Sequence, residues 1–242
     1  MKRFLILAKA NLLMNLRNRS TLFWNFAFPI GLIALYGIIW PQAISWLTAG
    51  IVVLNIMSSG LLGDSARLTN LRERGILRRV QATPVPTWQF IGAYIMTRLL
   101  LVLAQSAAIV GTAVVLYGAE FTWDGLTAAL PLALAGGLVF LTIGQLISAI
   151  APTSGAAGAI GQMIYFPLMF VSNLFVPNDQ LPRWLVDIAR WTPATMLVDM
   201  VRPALVPVPA AQSALINLAG LAVYGVVAMI LAAKLFSWEP QR

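Results

Sequence analysis

Residues 71–86 read LRERGILRRVQATPVP, and this stretch decides how the rest of the chain is read. It sets four arginines, Arg72, Arg74, Arg78 and Arg79, with the single acid Glu73 between two long apolar runs. Short loops rich in Arg and Lys stay on the cytoplasmic face of a membrane, because carrying their charge through hydrocarbon is unfavourable. The segment therefore fixes an inside. Its residues 69–81 are predicted to form a short helix, with Gly75 allowing close approach of another surface and Pro84 and Pro86 turning the chain into the next apolar run.

Outward from this segment, runs long enough to cross roughly 30 Å of hydrocarbon occupy residues 21–40, 43–62, 88–117, 126–150, 155–176 and 214–236. Only Pro41 and Gln42 separate the first two, which predicts a very short turn. The third is long enough to tilt or to extend beyond the bilayer. Composition agrees: 60% of the 242 residues are hydrophobic and 10% charged, and the mean hydropathy of +0.83 is above what a soluble surface tolerates. The predicted class is an all-α polytopic membrane protein with six transmembrane helices.

Charge asymmetry orients the spans. Lys2, Arg3, Lys9, Arg17 and Arg19 precede the first span without one acid, and Arg67 joins the four arginines of the basic segment after the second. Both regions belong inside. Alternation then sends Glu120 and Asp124 outside, with residues 177–209, and returns the tail from Lys234 to the cytoplasm, so both termini are cytoplasmic.

Residues 1–20 begin basic and then apolar, as a signal peptide would, but Lys9, Asn11 and Asn15 interrupt the run and no small-residue cleavage site follows. They are predicted to form an amphipathic interface helix, with Leu5, Leu12 and Leu16 near one face and Lys2, Lys9 and Arg17 free to meet anionic headgroups. In the outer loop, Leu181, Trp184, Leu185, Ile188, Ala189 and Trp191 recur at helical spacing between Pro182 and Pro193, and a second apolar turn covers residues 196–201. Short helices dipping into the outer leaflet satisfy their own backbone hydrogen bonds at membrane depth.

Some chemistries are excluded outright. With no Cys and no His there is no disulfide, no thiolate or imidazole metal site and no Ser–His dyad. The three lysines, Lys2, Lys9 and Lys234, lie outside any GxxxxGK[ST] context, so no phosphate-cradling loop is present. No metal site and no enzymatic activity are expected of this chain. Arg98, well inside the third span, is costly unless paired, and Asp64 is its candidate partner. Gly155, Gly158 and Gly161 permit close helix approach, within the chain or to a second copy.

Two stretches carry a family resemblance. RERGILRRVQATPVP, residues 72–86, resembles the cytoplasmic coupling segment of type-2 ABC exporter permeases, the transmembrane subunits of bacterial ATP-binding-cassette systems. SNLFVPNDQLPRWLVDIARWTPATMLVDMVRPAL, residues 172–205, is similar to the end of that family's fifth span and its outer re-entrant helices. The resemblance implies one permease domain over residues 1–242, with an interface helix (1–20), a coupling segment (69–86), outer re-entrant helices (177–209) and no nucleotide-binding domain. It implies two copies of a separate ATPase subunit, which carries ATP and Mg, and a second permease copy, with a homodimer the simplest assembly. It places the chain in a bacterial or archaeal cytoplasmic membrane, among lipid and with no nucleic-acid partner.

The resemblance also implies site residues. Arg72, Glu73, Arg74, Gly75, Arg78 and Arg79 are the ATPase-coupling candidates. The second and fifth spans border the translocation path, making Asn55, Ser59, Met163, Phe166, Phe170 and Asn173 its candidate lining. An adaptable aromatic stripe beside a few polar groups suits a hydrophobic or amphiphilic cargo, a drug or a lipid. A polysaccharide or glycolipid exporter is the alternative. An ATP-independent carrier fits less well, because the spans hold almost no carboxylates.

Overall fold

The computed structural model describes residues 2–17, 23–81 and 86–235. Helix α1, Lys2–Arg17, is followed by a π turn, Phe23–Ala27, that leads into α2, Phe28–Ile39. Pro29 stands at the second position of α2, directly after the π turn. After the 3-10 turn Pro41–Ala43 come α3, Ile44–Ser58, a π segment, Ser59–Asp64, and α4, Ser65–Glu73. Gly75 sits at φ +66°, a left-handed conformation that glycine adopts without strain, and breaks α4 from α5, Ile76–Gln81.

The remaining helices are bounded by similar devices. α6, Thr87–Tyr117, starts after Pro86 and stops at left-handed Gly118. Thr122 caps α7, Trp123–Ile150, and Thr153 caps α8, Ser154–Val171, each hydroxyl accepting an N–H of the first turn. α9, Arg183–Ala189, and α10, Pro193–Leu205, precede α11, Ala214–Leu235. Among the described residues there is no strand.

Among the described residues, five helical units are long and apolar enough to cross a membrane: Pro41–Glu73, Ile91–Tyr117, Trp123–Ile150, Ser154–Val171 and Ala214–Leu235. α2, at 12 residues, falls below that length, so the first of the six expected spans is a π turn plus a short helix. The second expected span ended near Leu62; the helical unit instead continues to Glu73, and Asp64 within it pairs with Arg98, the partner expected for it. The single helix expected over residues 69–81 is two, divided at Gly75, and a side chain there would meet nothing within 4 Å. Within this chain Gly75 serves a turn. Pro84 and Phe236 lie outside the described residues.

α3 is the centre of the bundle. Every residue from Leu47 to Met57 is buried, which explains why the helix is apolar all round. It packs against α2, α6, α7 and α10. Three glycines set the spacing below it: a Cβ on Gly60 would lie 2.2 Å from Phe140 O, one on Gly144 2.2 Å from Gly60 O, and one on Gly161 2.2 Å from Leu61 O. The π segment is therefore pressed against the backbones of both α7 and α8. Gly161 makes its contact inside one chain, while Gly155 and Gly158 face open space or only the Thr153 hydroxyl.

α10 is longer and deeper than the expected turn over residues 196–201. Of its residues only Pro203 and Ala204 are not fully buried, and it packs between α3, α7 and α11. α9 is the exposed partner, with Trp184 and Ile188 turned outward. In α1 the two asparagines point inward: Asn15 Oδ1 accepts from Arg67 Nη1, and Asn15 Nδ2 donates to Asn11 O at 2.8 Å. Lys9 and Arg17 stay exposed, whereas the side chains of Lys2, Leu5 and Leu16 lie outside the described set.

Candidate functional site: an aromatic cavity and a basic segment

A cavity of about 1260 Å³ lies between α2, α3, the π segment, α8 and residues 175–180 that follow α8. This exceeds the roughly 300–1,000 Å³ of an ordinary small-molecule pocket. Its wall is aromatic: Tyr36 stacks on Trp40 at 5.6 Å and on Phe175 at 5.3 Å between ring centroids, and Trp46, Phe166 and Phe170 complete it. The polar groups are few, namely Asn55, Ser58 and Ser59 on the second helical unit and Gln180 beyond α8.

Of the six path candidates, Asn55, Ser59, Phe166 and Phe170 line this cavity. Met163 does not line it and is exposed nearer the start of α8, on the same helical stripe. Asn173 does not line it either: it adopts φ +56° just past α8, and its carbonyl accepts from Arg202 Nη2 at 2.5 Å. Asparagine is among the few residues that tolerate this left-handed conformation. Asn55 is held by Gln105 of α6, Nδ2 donating to Oε1 at 3.0 Å, so its amide is oriented before any cargo arrives.

Beside the cavity lies a buried charge cluster. Arg98 Nε is 2.5 Å from Asp64 Oδ1, with the residues 3% and 1% exposed. Tyr94 donates to the same carboxylate oxygen at 2.8 Å. Arg98 Nη2 also donates to Ser59 Oγ at 3.1 Å and to Ser59 O at 3.2 Å, tying α6 to the start of the π segment. Ser59 thus belongs to both the cavity and the charge cluster. Wide turns of this type are frequent at functional positions in helices.

The basic segment splits into two populations. Arg74, Arg78 and Arg79 are exposed on the α4 end and α5, with Leu77 buried as the hydrophobic foot of α5. Arg72 is fully buried: Nη1 donates to Ser148 O at 2.9 Å and Nη2 to Ala151 O. Glu73, although exposed, accepts the Ser154 N–H at 3.2 Å. Charge alone does not separate these arginines, but helical register does: Ser65, Thr69 and Arg72 share one face of α4 and all three are buried.

Other contributors had no distinctive sequence signal. Trp46 and Arg202 are such a pair, the guanidinium lying 3.8 Å from the ring centroid across more than 150 residues of chain. The Tyr36 and Trp40 pair was accessible from i,i+4 spacing, and Phe175 was not.

Comparison with known proteins agrees with this architecture. Residues 2–206 match the family model described as ABC-2 type transporter. The chain is 25% identical over 236 residues to nodulation protein J of Bradyrhizobium diazoefficiens, covering 95% of this chain and 86% of that protein. It is 26% identical over 196 residues to nodulation protein J of Rhizobium meliloti, covering 77% and 74% respectively. It is also 23% identical over 196 residues to the putative transport permease YvfS of Bacillus subtilis, covering 74% and 76%. With most of its length matched and its helices built for a membrane, the chain is a permease that belongs to the ABC-2 type transporter family.

Proposed function

We propose that this chain is the transmembrane subunit of an ATP-driven exporter that carries a hydrophobic or amphiphilic substrate, a drug or a lipid, outward across the cytoplasmic membrane. The aromatic cavity between α2, α3 and α8 carries this reading, because its rings offer apolar contact and its polar groups are few and preoriented. Its α8 wall is open, with Phe166 and Phe170 exposed, and a second copy of the permease closes it so that cargo moves between two subunits. Two copies of a separate ATPase supply the energy, with ATP and Mg bound on those subunits. They grip the segment that exposes Arg74, Arg78 and Arg79, on the cytoplasmic side with both termini.

A second reading, export of a polysaccharide or glycolipid, draws on the stacked rings of Tyr36, Trp40 and Phe175 beside Gln180, a platform that suits sugar faces as well as acyl chains. A proteoliposome screen of lipids, drugs and glycolipids for stimulated ATP turnover separates the two. In the same assay, Phe170→Ala is expected to weaken apparent substrate affinity about fivefold, the equivalent of losing one aromatic contact. Met163→Ala, outside the cavity, leaves it unchanged. Equal effects from both variants would mean that the cavity is not the path.

A further inference from the structure

Each charge of the Arg72–Glu73 pair is used on a different helix end. α7 finishes at Ile150 and α8 begins at Ser154, so one short loop holds the free carbonyls of the first helix and the free N–H groups of the second. The C-terminal end is partially negative and the N-terminal end partially positive. Arg72 donates to Ser148 O and Ala151 O at the negative end, and Glu73 accepts from Ser154 N at the positive end. The Thr69 and Ser148 hydroxyls, 2.9 Å apart, add a third tie.

This knot lies between two mechanically distinct parts. On one side, only Arg74 and Gly75 separate α4 from α5, and the three Cα steps from Glu73 to Ile76 span at most about 11 Å, so α5 cannot shift far without pulling on Glu73. On the other side, α8 carries Tyr165, Phe166, Met169 and Phe170 along the cavity. Nearer the knot α8 is seated on the π segment through Gly161.

We infer that Arg72 and Glu73 are positioning residues that transmit displacement of α5 to the α7–α8 loop and so to the α8 wall of the cavity, and that they are not themselves contacts of the ATPase. This deepens the proposed function and rests on the ATPase engaging α5. It divides the basic segment by role: Arg74, Arg78 and Arg79 hold the partner, and Arg72 with Glu73 pass on its motion.

The test uses Glu73, whose exposed side chain can be changed without emptying a buried site as Arg72→Ala would. In proteoliposomes holding permease and ATPase, Glu73→Ala is expected to keep the ATPase bound while substrate moved per ATP falls about tenfold, within the usual span of a coupling free energy. Glu73→Gln keeps an amide oxygen that accepts the Ser154 N–H and is expected to recover to within about twofold. Without any ATPase, hydrogen exchange at the Ser154 amide is expected to quicken in Glu73→Ala and not in Glu73→Gln. Loss of the ATPase in both variants would overturn the inference, because the carboxylate would then be a direct contact. Normal stoichiometry or unaltered Ser154 exchange in Glu73→Ala would also overturn it. A wild-type permease that recruits no ATPase would overturn the proposed function as well, which separates that failure from a defect seen only in the variants.

Discussion

Asp64→Leu is expected to destabilise the folded permease by about 3–5 kcal/mol, the usual result of leaving one charge of a buried pair without its partner. Arg98 is the charge left behind. It is 3% exposed, and with Asp64 gone its guanidinium keeps, among the described residues, the Ser59 oxygens. Tyr94 loses its acceptor at the same time. The double variant Asp64→Leu/Arg98→Leu is expected to recover most of the loss, since a buried pair exchanged for packed apolar groups is often neutral. Thermal unfolding of detergent-purified protein measures both. Equal destabilisation by the single and double variants would mean that the charges matter for something other than each other.

The second large effect concerns backbone contact. Gly144→Val is expected to prevent α7 from seating on the π segment, because even the first carbon of a side chain would stand 2.2 Å from Gly60 O and 3.6 Å from the Cβ of Asp64. The obstacle on the near side is a backbone carbonyl that cannot rotate away, so the helices must separate. Overpacking of a tight interior costs about 1–3 kcal/mol where side chains give way, and here the cost exceeds that range. Gly158→Ala is the matched control. Nothing lies within 4 Å of a Cβ there, and alanine in place of glycine in a helix is expected to stabilise α8 by up to about 1 kcal/mol. Folded yield and unfolding temperature of the two variants report the contrast, and similar behaviour would show that the α7 contact is looser than described.

These sites also show what the sequence made legible. Long apolar runs locate α3, α6, α7, α8 and α11 because hydrocarbon length and charge-free composition are local properties. The polar chemistry of the interior is not local. The Asp64–Arg98 pair was legible because a charge deep in a span needs a partner, whereas Arg72 looked like one more arginine of the basic segment and is buried against α7. Residues 193–205 contain Asp199, Arg202 and two prolines, so only a short apolar turn over residues 196–201 was expected within the outer re-entrant stretch. They form instead a buried helix whose arginine is absorbed by the Trp46 ring and the Asn173 carbonyl.

The cavity was half legible for a related reason. Asn55, Ser59, Phe166 and Phe170 lie on two helices whose register the sequence gives away, and all four line it. Tyr36, Trp46 and Phe175 enter from α2, the start of α3 and the chain beyond α8, which only tertiary packing brings together. Met163 shared the helical stripe of Phe166 and Phe170 closely enough to be grouped with them. Yet it sits on a different part of the α8 surface, because a stripe covers more of a helix than one cavity touches.

A separate ATPase is proposed to power this permease through the exposed arginines beside Gly75. The most direct measurement is ATP-dependent substrate movement in proteoliposomes containing the ATPase with either the wild-type permease or Arg78→Glu/Arg79→Glu. Both positions are exposed, so the reversal leaves the interior intact. ATP-driven transport is expected of the wild type, and loss of ATPase association together with that transport in the reversed variant, with normal folding. Substrate movement by the wild type without any ATPase, or full transport by the reversed variant, would contradict it.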